Sequence, residues 1–393
     1  MITPVMPTYN RIPLSFERGE GAWLVATDGR RFLDFGAGIA VNVLGHAHPA
    51  LVEAVSAQAA KVWHVSNLYE IPEQRMLAEA LVDATFADTV FFTNSGTEAA
   101  EGGIKLVRKY WAAEPSRTRC IAFEGAFHGR STGAIAAAGG AKLTEGFGPL
   151  MPGFEHLPFG DIPALEATMD ERVAAVFIEP IQGEGGIRTL PDGALKAIRA
   201  ACDRVGALLV LDEVQCGMGR TGQLFAHERA GITPDVMLVA KGIGGGFPLG
   251  AILATEAAAA PMVAGSHGST YGGNPLGCAV GVRVMQTVNT PDFLGAVRAK
   301  GGFMQQRLGA LAANHPDLIE EVRGEGLMLG LRLTEGHAPA ALVDVAREEG
   351  LLLVPAADRV VRLLPPLSIT EDELAEGCAR LDRAAGSIAR VAA

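Results

Sequence analysis

The run ALLVLDEVQCG is an apolar stretch of strand length that ends on two carboxylates, Asp212 and Glu213. A carboxylate at the C-terminal end of a parallel strand stands at the crevice where open α/β sheets bind ligands. Further along, VMLVA delivers Lys241 at the end of its own apolar run and is followed at once by GIGGGFPLG. Both ionisable groups are therefore expected to face one crevice. A lysine emerging from an apolar strand loses hydration, which favours the neutral amine and makes it nucleophilic toward carbonyls. That is what a Schiff base requires. On charge pattern alone the two residues read equally well as an ion pair at a strand end, and other segments have to decide.

Between a strand and a helix, FFTNSGTEAAE places Asn94, Ser95, Gly96 and Thr97. Free backbone N–H groups and the positive helix end can hold a phosphate there, with the hydroxyls of Ser95 and Thr97 as further donors. Taken alone, the same residues read as ordinary helix caps. In FEGAFHGRS, Phe127 and His128 can present an aromatic face beside the crevice, while Arg130 offers a planar fork for a carboxylate. HGSTYGGNP supplies Ser269 and Thr270 among glycines, a setting suited to a second approach to phosphate oxygens. One pyridoxal 5′-phosphate (PLP) site accounts for all four elements more economically than four independent accidents.

Two other motifs compete. GMGRTG satisfies G-x-G-x-x-G with Asp235 downstream, the pattern of an NAD-dependent dehydrogenase. There, however, DEVQC separates the strand from the glycines, and no helical pattern opens at Thr221. GRSTG, from Gly129 to Gly133, matches the hydrolase elbow G-x-S-x-G with Ser131 as nucleophile, but the match needs only three fixed residues in a chain with 49 glycines. His46, His48 and His64 lack a carboxylate or cysteine partner at ligand spacing, so no metal is expected. A non-enzymatic binding module has little support, because no interaction tail is visible.

The elements that must position these residues follow from the same text. From about Asp88 to Thr255, the apolar runs TVFFTN, CIAFEG, VAAVFIEP, ALLVLDEV, VMLVAK and GAILAT alternate with helical patterns. Continuous apolar strands separated by helices indicate an α/β fold with a mostly parallel sheet covered on both faces. One helix is expected near Thr97 to Trp111 and another after Pro191, with Leu195, Ile198 and Ala201 on one stripe. The flanking segments, 1–60 and 295–393, have a different texture and are read as the two parts of one smaller α+β domain beside a large domain over 61–294.

Composition bounds the function. The chain has 393 residues, 49% hydrophobic and only 20% charged, which excludes disorder and coiled coil. A formal charge of −11 repels nucleic acid and anionic membrane surfaces. The longest uncharged run, 257–282, is interrupted by Pro261, Pro275, His267 and Asn274, which excludes a spanning helix. Five scattered cysteines draw no disulfide framework, and the first residues carry no secretory pattern, so a cytoplasmic location is expected.

SGTEA, FHGR, EPIQGEGG, LDEVQCGMGRTG, KGIGGGFPLGA and HGSTYGGNP resemble, in order and spacing, the class III (ornithine-type) PLP-dependent aminotransferases of fold type I. The resemblance spans nearly the whole chain. Within that class, GIAVNVLGHAHP and VWHVSNLY are most similar to the acetylornithine aminotransferases. The resemblance implies a large domain with a mostly parallel sheet of the seven-stranded type. It implies that Lys241 forms the Schiff base with PLP and shuttles the substrate proton, and that Asp212 keeps the pyridinium nitrogen protonated. Ser95, Gly96 and Thr97 would bind the phosphate, Phe127 would stack on the ring, and Asp212, Glu213, Val214 and Gln215 would line its edge. Thr270 would reach the cofactor of a neighbouring subunit, which makes the expected assembly a homodimer with shared sites. Arg130, with Ser269 from across the interface, would take the acetylornithine carboxylate. Arg362 would hold the α-carboxylate of L-glutamate or 2-oxoglutarate, and Glu184 would screen it when another end of a substrate has to be placed there. The implied reaction is transfer of the δ-amino group of N2-acetyl-L-ornithine to 2-oxoglutarate, giving N-acetyl-L-glutamate 5-semialdehyde and L-glutamate in arginine biosynthesis. Succinylornithine, N-succinyl-diaminopimelate, ornithine and 4-aminobutyrate remain alternative amino donors.

Overall fold

A computed structural model describes residues 4–392. Residues 1–3 and 393, the outermost parts of the two segments assigned above to a smaller domain, lie outside the described residues. At the centre is a seven-stranded sheet in the order Thr89–Thr93, Gly250–Ala254, Val236–Val239, Leu208–Asp212, Val173–Ile178, Arg119–Phe123 and Phe154–Leu157. Gly250–Ala254 runs antiparallel to both neighbours, and every other pairing is parallel.

The continuous apolar runs reflect burial on two faces. Leu208 and Val210 pack into the cluster under the Gly96–Tyr110 helix, while Leu209 and Leu211 pack under the Ala194–Val205 helix. This is the alternation that a strand imposes. The Gly96–Tyr110 helix lies close on the sheet because glycines face it: a Cβ on Gly103 would stand 2.8 Å from Leu238 Cδ2. Six of the seven strands match the apolar runs. The seventh, Phe154–Leu157, is an edge strand of sequence FEHL with three half-buried residues, so it carries no continuous apolar run.

The chain ends meet. Leu351–Leu352 pairs in parallel with Arg31–Asp34, completing a four-stranded sheet with Phe16–Glu20 and Trp23–Ala26. A second four-stranded sheet is ordered Ile319–Glu325, Met328–Leu333, Val360–Leu363 and Val354–Pro355. Helices Pro49–Ala59 and Pro72–Ala84 pack on Pro275–Val288. A single apolar cluster runs from Phe35 and Leu44 through Met237 and Val284 to Leu331 and Leu381. It ties the terminal segments to the central sheet, so residues distant in sequence can share one site.

GMGRTG does not open a helix. Gly217 N–H donates to Glu213 O and Gly219 N–H to Leu224 O, so the glycines form turns, and the next helical residues are Ala226–Ala230. His46 binds Asp34 Oδ2 at 2.8 Å, and His48 precedes Pro49 at the start of its helix. Among the described residues no His, Cys, Asp and Glu group could hold a metal ion, and no helix is long and apolar enough to cross a membrane.

Candidate active site

Asp212 ends the Leu208–Asp212 strand, and parallel register with Val173–Ile178, Leu211 opposite Ile178, sets Glu179 beside it. Both carboxylates are buried. His128 Nδ1 donates to Asp212 Oδ2 at 2.8 Å, and Val214 N–H donates to Oδ1 at 3.0 Å. Burial works to lower the His128 pKa, but the hydrogen bond and charge of Asp212, aided by Glu179, outweigh it and hold the pKa above the ordinary imidazole value.

Lys241 opens the turn that follows the Val236–Val239 strand, in the left-handed region at φ 47°. For a residue with a Cβ this conformation is strained and is a recurrent feature of functional sites. Among the described residues no hydrogen bond or ion pair reaches its amine. Burial pushes its pKa down to about 8, which the charges of Glu184 and Asp212 only partly oppose. The ion-pair alternative for Asp212 and Lys241 is therefore not what forms. Asp212 is held by an imidazole, and Lys241 is a buried amine poised to lose its proton.

The Gly96–Tyr110 helix begins at the same crevice. Ser95 Oγ caps it by accepting from Glu98 N–H at 3.3 Å, so its hydroxyl takes the ordinary capping role. The N–H groups of Gly96 and Thr97 have no intrahelical acceptor and are the donors for an anion. Thr97 Oγ1 is engaged elsewhere: it pairs with Ser131 Oγ at 2.9 Å and accepts from the N–H of Arg130 at 3.1 Å and of Ser131 at 3.2 Å. Ser131 is thus a tie between loop and helix, and among the described residues no histidine bonds its hydroxyl.

These elements enclose a cavity of about 450 Å³. Ser95, Gly96, Thr97, Phe127, Arg130, Asp212, Val214, Gln215 and Lys241 all line it, as do His128 and Glu179. Phe127 is fixed through its N–H, which donates to Glu179 Oε1 at 2.9 Å, and the Arg130 guanidinium stands 5.6 Å from its ring centroid.

Five expected residues, Glu213, Arg362, Glu184, Ser269 and Thr270, fall elsewhere. Glu213 is wholly buried and turned away from the cavity: its carboxylate accepts from the N–H of Ala226, from the N–H of His227 and from His227 Nδ1, each within 2.9 Å. It braces the following turn and does not line the cavity, because consecutive residues leave a strand on opposite sides. Arg362 is buried behind Gln215, whose Oε1 accepts from Nη1 at 3.3 Å. Its fork is closed by Glu184, at 2.6 Å from Nη1 and 3.2 Å from Nη2. Ser269 lines a neighbouring cavity of about 280 Å³ with Thr97 and His267, and its Oγ accepts from Gly272 N–H at 2.9 Å. Thr270 is exposed and lines neither space.

Glu179 is the residue the sequence reading passed over. The signal was present, since VAAVFIEP ends an apolar strand on a carboxylate just as ALLVLDEV does.

The residues fit PLP on their own chemistry. An amine with no ion partner, a buried carboxylate, a flat aromatic wall and unpaired N–H groups at a helix start surround one space of ligand size. With this sheet, this cavity and this lysine, the chain is a PLP-dependent transferase of the aminotransferase type. Comparison places it further: the model of the class-III aminotransferase family matches residues 5–385, and the chain belongs to that family. It is 62% identical over 390 residues to an acetylornithine aminotransferase of Rhodobacter capsulatus, covering 99% of each chain. Among solved structures it is similar to the N-acetylornithine aminotransferase of Stenotrophomonas maltophilia, with a TM-score of 0.86 and 39% identity, covering 98% of each chain. It is also similar to the ornithine aminotransferase of Toxoplasma gondii, with a TM-score of 0.95 and 30% identity, covering 98% of this chain and 93% of that one. The chain is thus an aminotransferase, and its cofactor is PLP.

Proposed function

We propose that this aminotransferase moves the δ-amino group of N2-acetyl-L-ornithine to 2-oxoglutarate, releasing N-acetyl-L-glutamate 5-semialdehyde and L-glutamate. The observation that carries the reading is a pair of guanidinium groups, Arg130 on the cavity wall and Arg362 buried behind Gln215. Arg130 stands on the cavity wall with no carboxylate partner among the described residues, and Arg362 is closed off by Glu184. Two dissimilar amino donors can then use one site, the first through Arg130 and the second through Arg362 once Glu184 lets go. The names of the relatives at 50–62% identity support this substrate.

When bound, PLP supplies the electron sink for the pair left behind by the departing proton. The amine of Lys241 would hold it, and the same Nζ, once the substrate amino group had displaced it, would take the proton from the carbon bearing that amino group. Asp212 would hold a positive charge at the ring nitrogen, and His128 keeps that carboxylate oriented. The N–H groups of Gly96 and Thr97 would bind the phosphate. Phe127 and Val214 form the walls that exclude water, and Gln215 links the cavity to Arg362.

We assign the protein to a homodimer in which Thr270, and the neighbouring space lined by Ser269, serve the partner's cofactor and substrate. The supporting surface is apolar: Trp63 is 64% exposed, Leu68 84%, Tyr69 70% and Tyr271 61%. Asn67 Nδ2 binds Ser269 O and Gly272 O, so this surface and the Thr270 loop move as one. Residues 1–60 and 295–393 are assigned to one smaller domain beside 61–294, in keeping with the pairing of Arg31–Asp34 with Leu351–Leu352. Five free, buried thiols suit the reducing cytoplasm as its place of work.

The test is a comparison of kcat/KM for acetylornithine, succinylornithine, N-succinyl-diaminopimelate, ornithine and 4-aminobutyrate with 2-oxoglutarate as acceptor. Acetylornithine is expected to lead. Faster turnover of 4-aminobutyrate would overturn the substrate assignment and leave the aminotransferase class intact.

A further inference from the structure

Two buried carboxyls stand side by side where the reaction needs one. Glu179 follows the Val173–Ile178 strand and Asp212 ends the adjacent parallel strand, so register alone brings them together. Their partners differ. Asp212 faces the His128 imidazole, whereas Glu179 holds only main-chain N–H groups, Phe127 at 2.9 Å and Gly183 at 3.3 Å. The loop from Phe127 to His128 is thus gripped twice: at the Phe127 N–H by Glu179 and at the His128 ring by Asp212. On its far side His128 Nε2 is buried with no hydrogen-bond partner among the described residues.

The ionisable groups that reach Glu179 are Asp212 from the neighbouring strand, His128 from the loop, Lys241 from the turn after Val236–Val239, and Cys216 from the turn after Asp212. Two carboxylates side by side in a buried place repel each other, which is costly. A proton on Glu179 removes that repulsion and leaves the Asp212–His128 hydrogen bond in place. Glu179 lines the cavity, so that proton has a path to solvent.

We propose that Glu179 is a positioning residue for this site: it clamps the Phe127–His128 segment at the strand ends and, as the second buried carboxyl beside Asp212, exchanges with solvent a proton that relieves its repulsion of Asp212. The inference rests on the class-III reading of the site. Burial first, and then the charge of Asp212, push the Glu179 pKa up to about 7, with His128 opposing. The proton is therefore present below neutral pH and lost above it.

The test reads the cluster directly in the holoenzyme. A pH-difference infrared spectrum is expected to show the carbonyl stretch of a protonated carboxyl that vanishes as pH rises through about 7, and that band is missing in Glu179→Gln. In the same variant, NMR of ¹³C-labelled imidazoles is expected to show His128 releasing its proton at a lower pH than in the wild type, because a negative neighbour is gone. The limb near neutrality in the pH profile of the glutamate half-reaction disappears, with KM little changed. If Glu179→Gln does not fold, His128→Asn serves instead: removing the cation raises the pH at which the band is lost. A wild type without the band below neutral pH, a band that survives in Glu179→Gln, or a midpoint unmoved in His128→Asn would each overturn the proposal. None of these spectra depends on turnover, so the site reading and this inference fail separately.

Discussion

Replacing Glu184 with Gln separates the two uses of Arg362. The guanidinium donates to Glu184 through Nη1 at 2.6 Å and Nη2 at 3.2 Å, with the arginine side chain 2% exposed and the glutamate side chain 33%. For a substrate carboxylate to take the fork, Glu184 has to leave it. A hydrogen bond to a charged group contributes about 1.5–3 kcal/mol net. Water reaches Glu184 and screens the pair, which puts it at the low end of that range. About 1.5 kcal/mol corresponds to roughly tenfold in an equilibrium or rate. A neutral amide competes less for the fork, so Glu184→Gln is expected to lower KM for glutamate and 2-oxoglutarate by about tenfold. The acetylornithine half-reaction is expected to weaken, because its chain now meets an uncovered cation. Each half-reaction is followed alone by rapid-mixing absorbance of the bound cofactor, with circular dichroism confirming the fold. An equal change in both half-reactions, or a weaker glutamate half-reaction in a folded variant, would refute the gating argument.

Four further outcomes follow from the same geometry. Asp212→Asn keeps the shape but removes the charge that His128 and the ring nitrogen answer to, and is expected to cost about 10²–10³-fold in kcat, read by steady-state assay. Lys241 in the folded apo-protein releases its proton near pH 8 against 10.5 for a free side chain, so between those values the unfolded chain binds more protons. Its contribution to stability therefore rises with pH across that window, and urea melts are expected to show a slope there that Lys241→Met removes. The rate of PLP uptake by the apo-protein is expected to rise through about pH 8 as the amine becomes neutral. Gly129 sits at φ +131°, and a Cβ there would run into Thr97, so Gly129→Ala is expected to lose about 1–3 kcal/mol in denaturant melts and to weaken phosphate binding.

What could be read from the sequence was whatever a strand writes in its own residues. Val173–Ile178 and Leu208–Asp212 are buried on both faces and therefore apolar throughout, up to the terminal Asp212 of the second, while Phe154–Leu157, at the sheet edge, mixes a phenylalanine with a glutamate and a histidine. Asp212 and Lys241 were legible because each terminates such a run. Glu213 was assigned to the cavity with its neighbour although strand alternation sends it the other way, into a bond with His227. Arg362 and Glu184 lie 178 residues apart, and their contact depends on how the second sheet docks, which no local pattern records. The tie between Thr97 and Ser131 was hidden for the same reason: alone, Thr97 reads as a helix cap and Ser131 as a hydrolase nucleophile.

The central claim is that Lys241 and its surroundings hold PLP and carry an amino group between two substrates. Its most direct test is the absorbance spectrum of the purified protein, first alone, then with glutamate, then with 2-oxoglutarate. The account predicts a visible band of bound cofactor that glutamate removes, that 2-oxoglutarate restores, that acetylornithine also removes, and that Lys241→Ala does not cycle. A protein that stays colourless with added PLP, or a Lys241→Ala variant that cycles like the wild type, would contradict it.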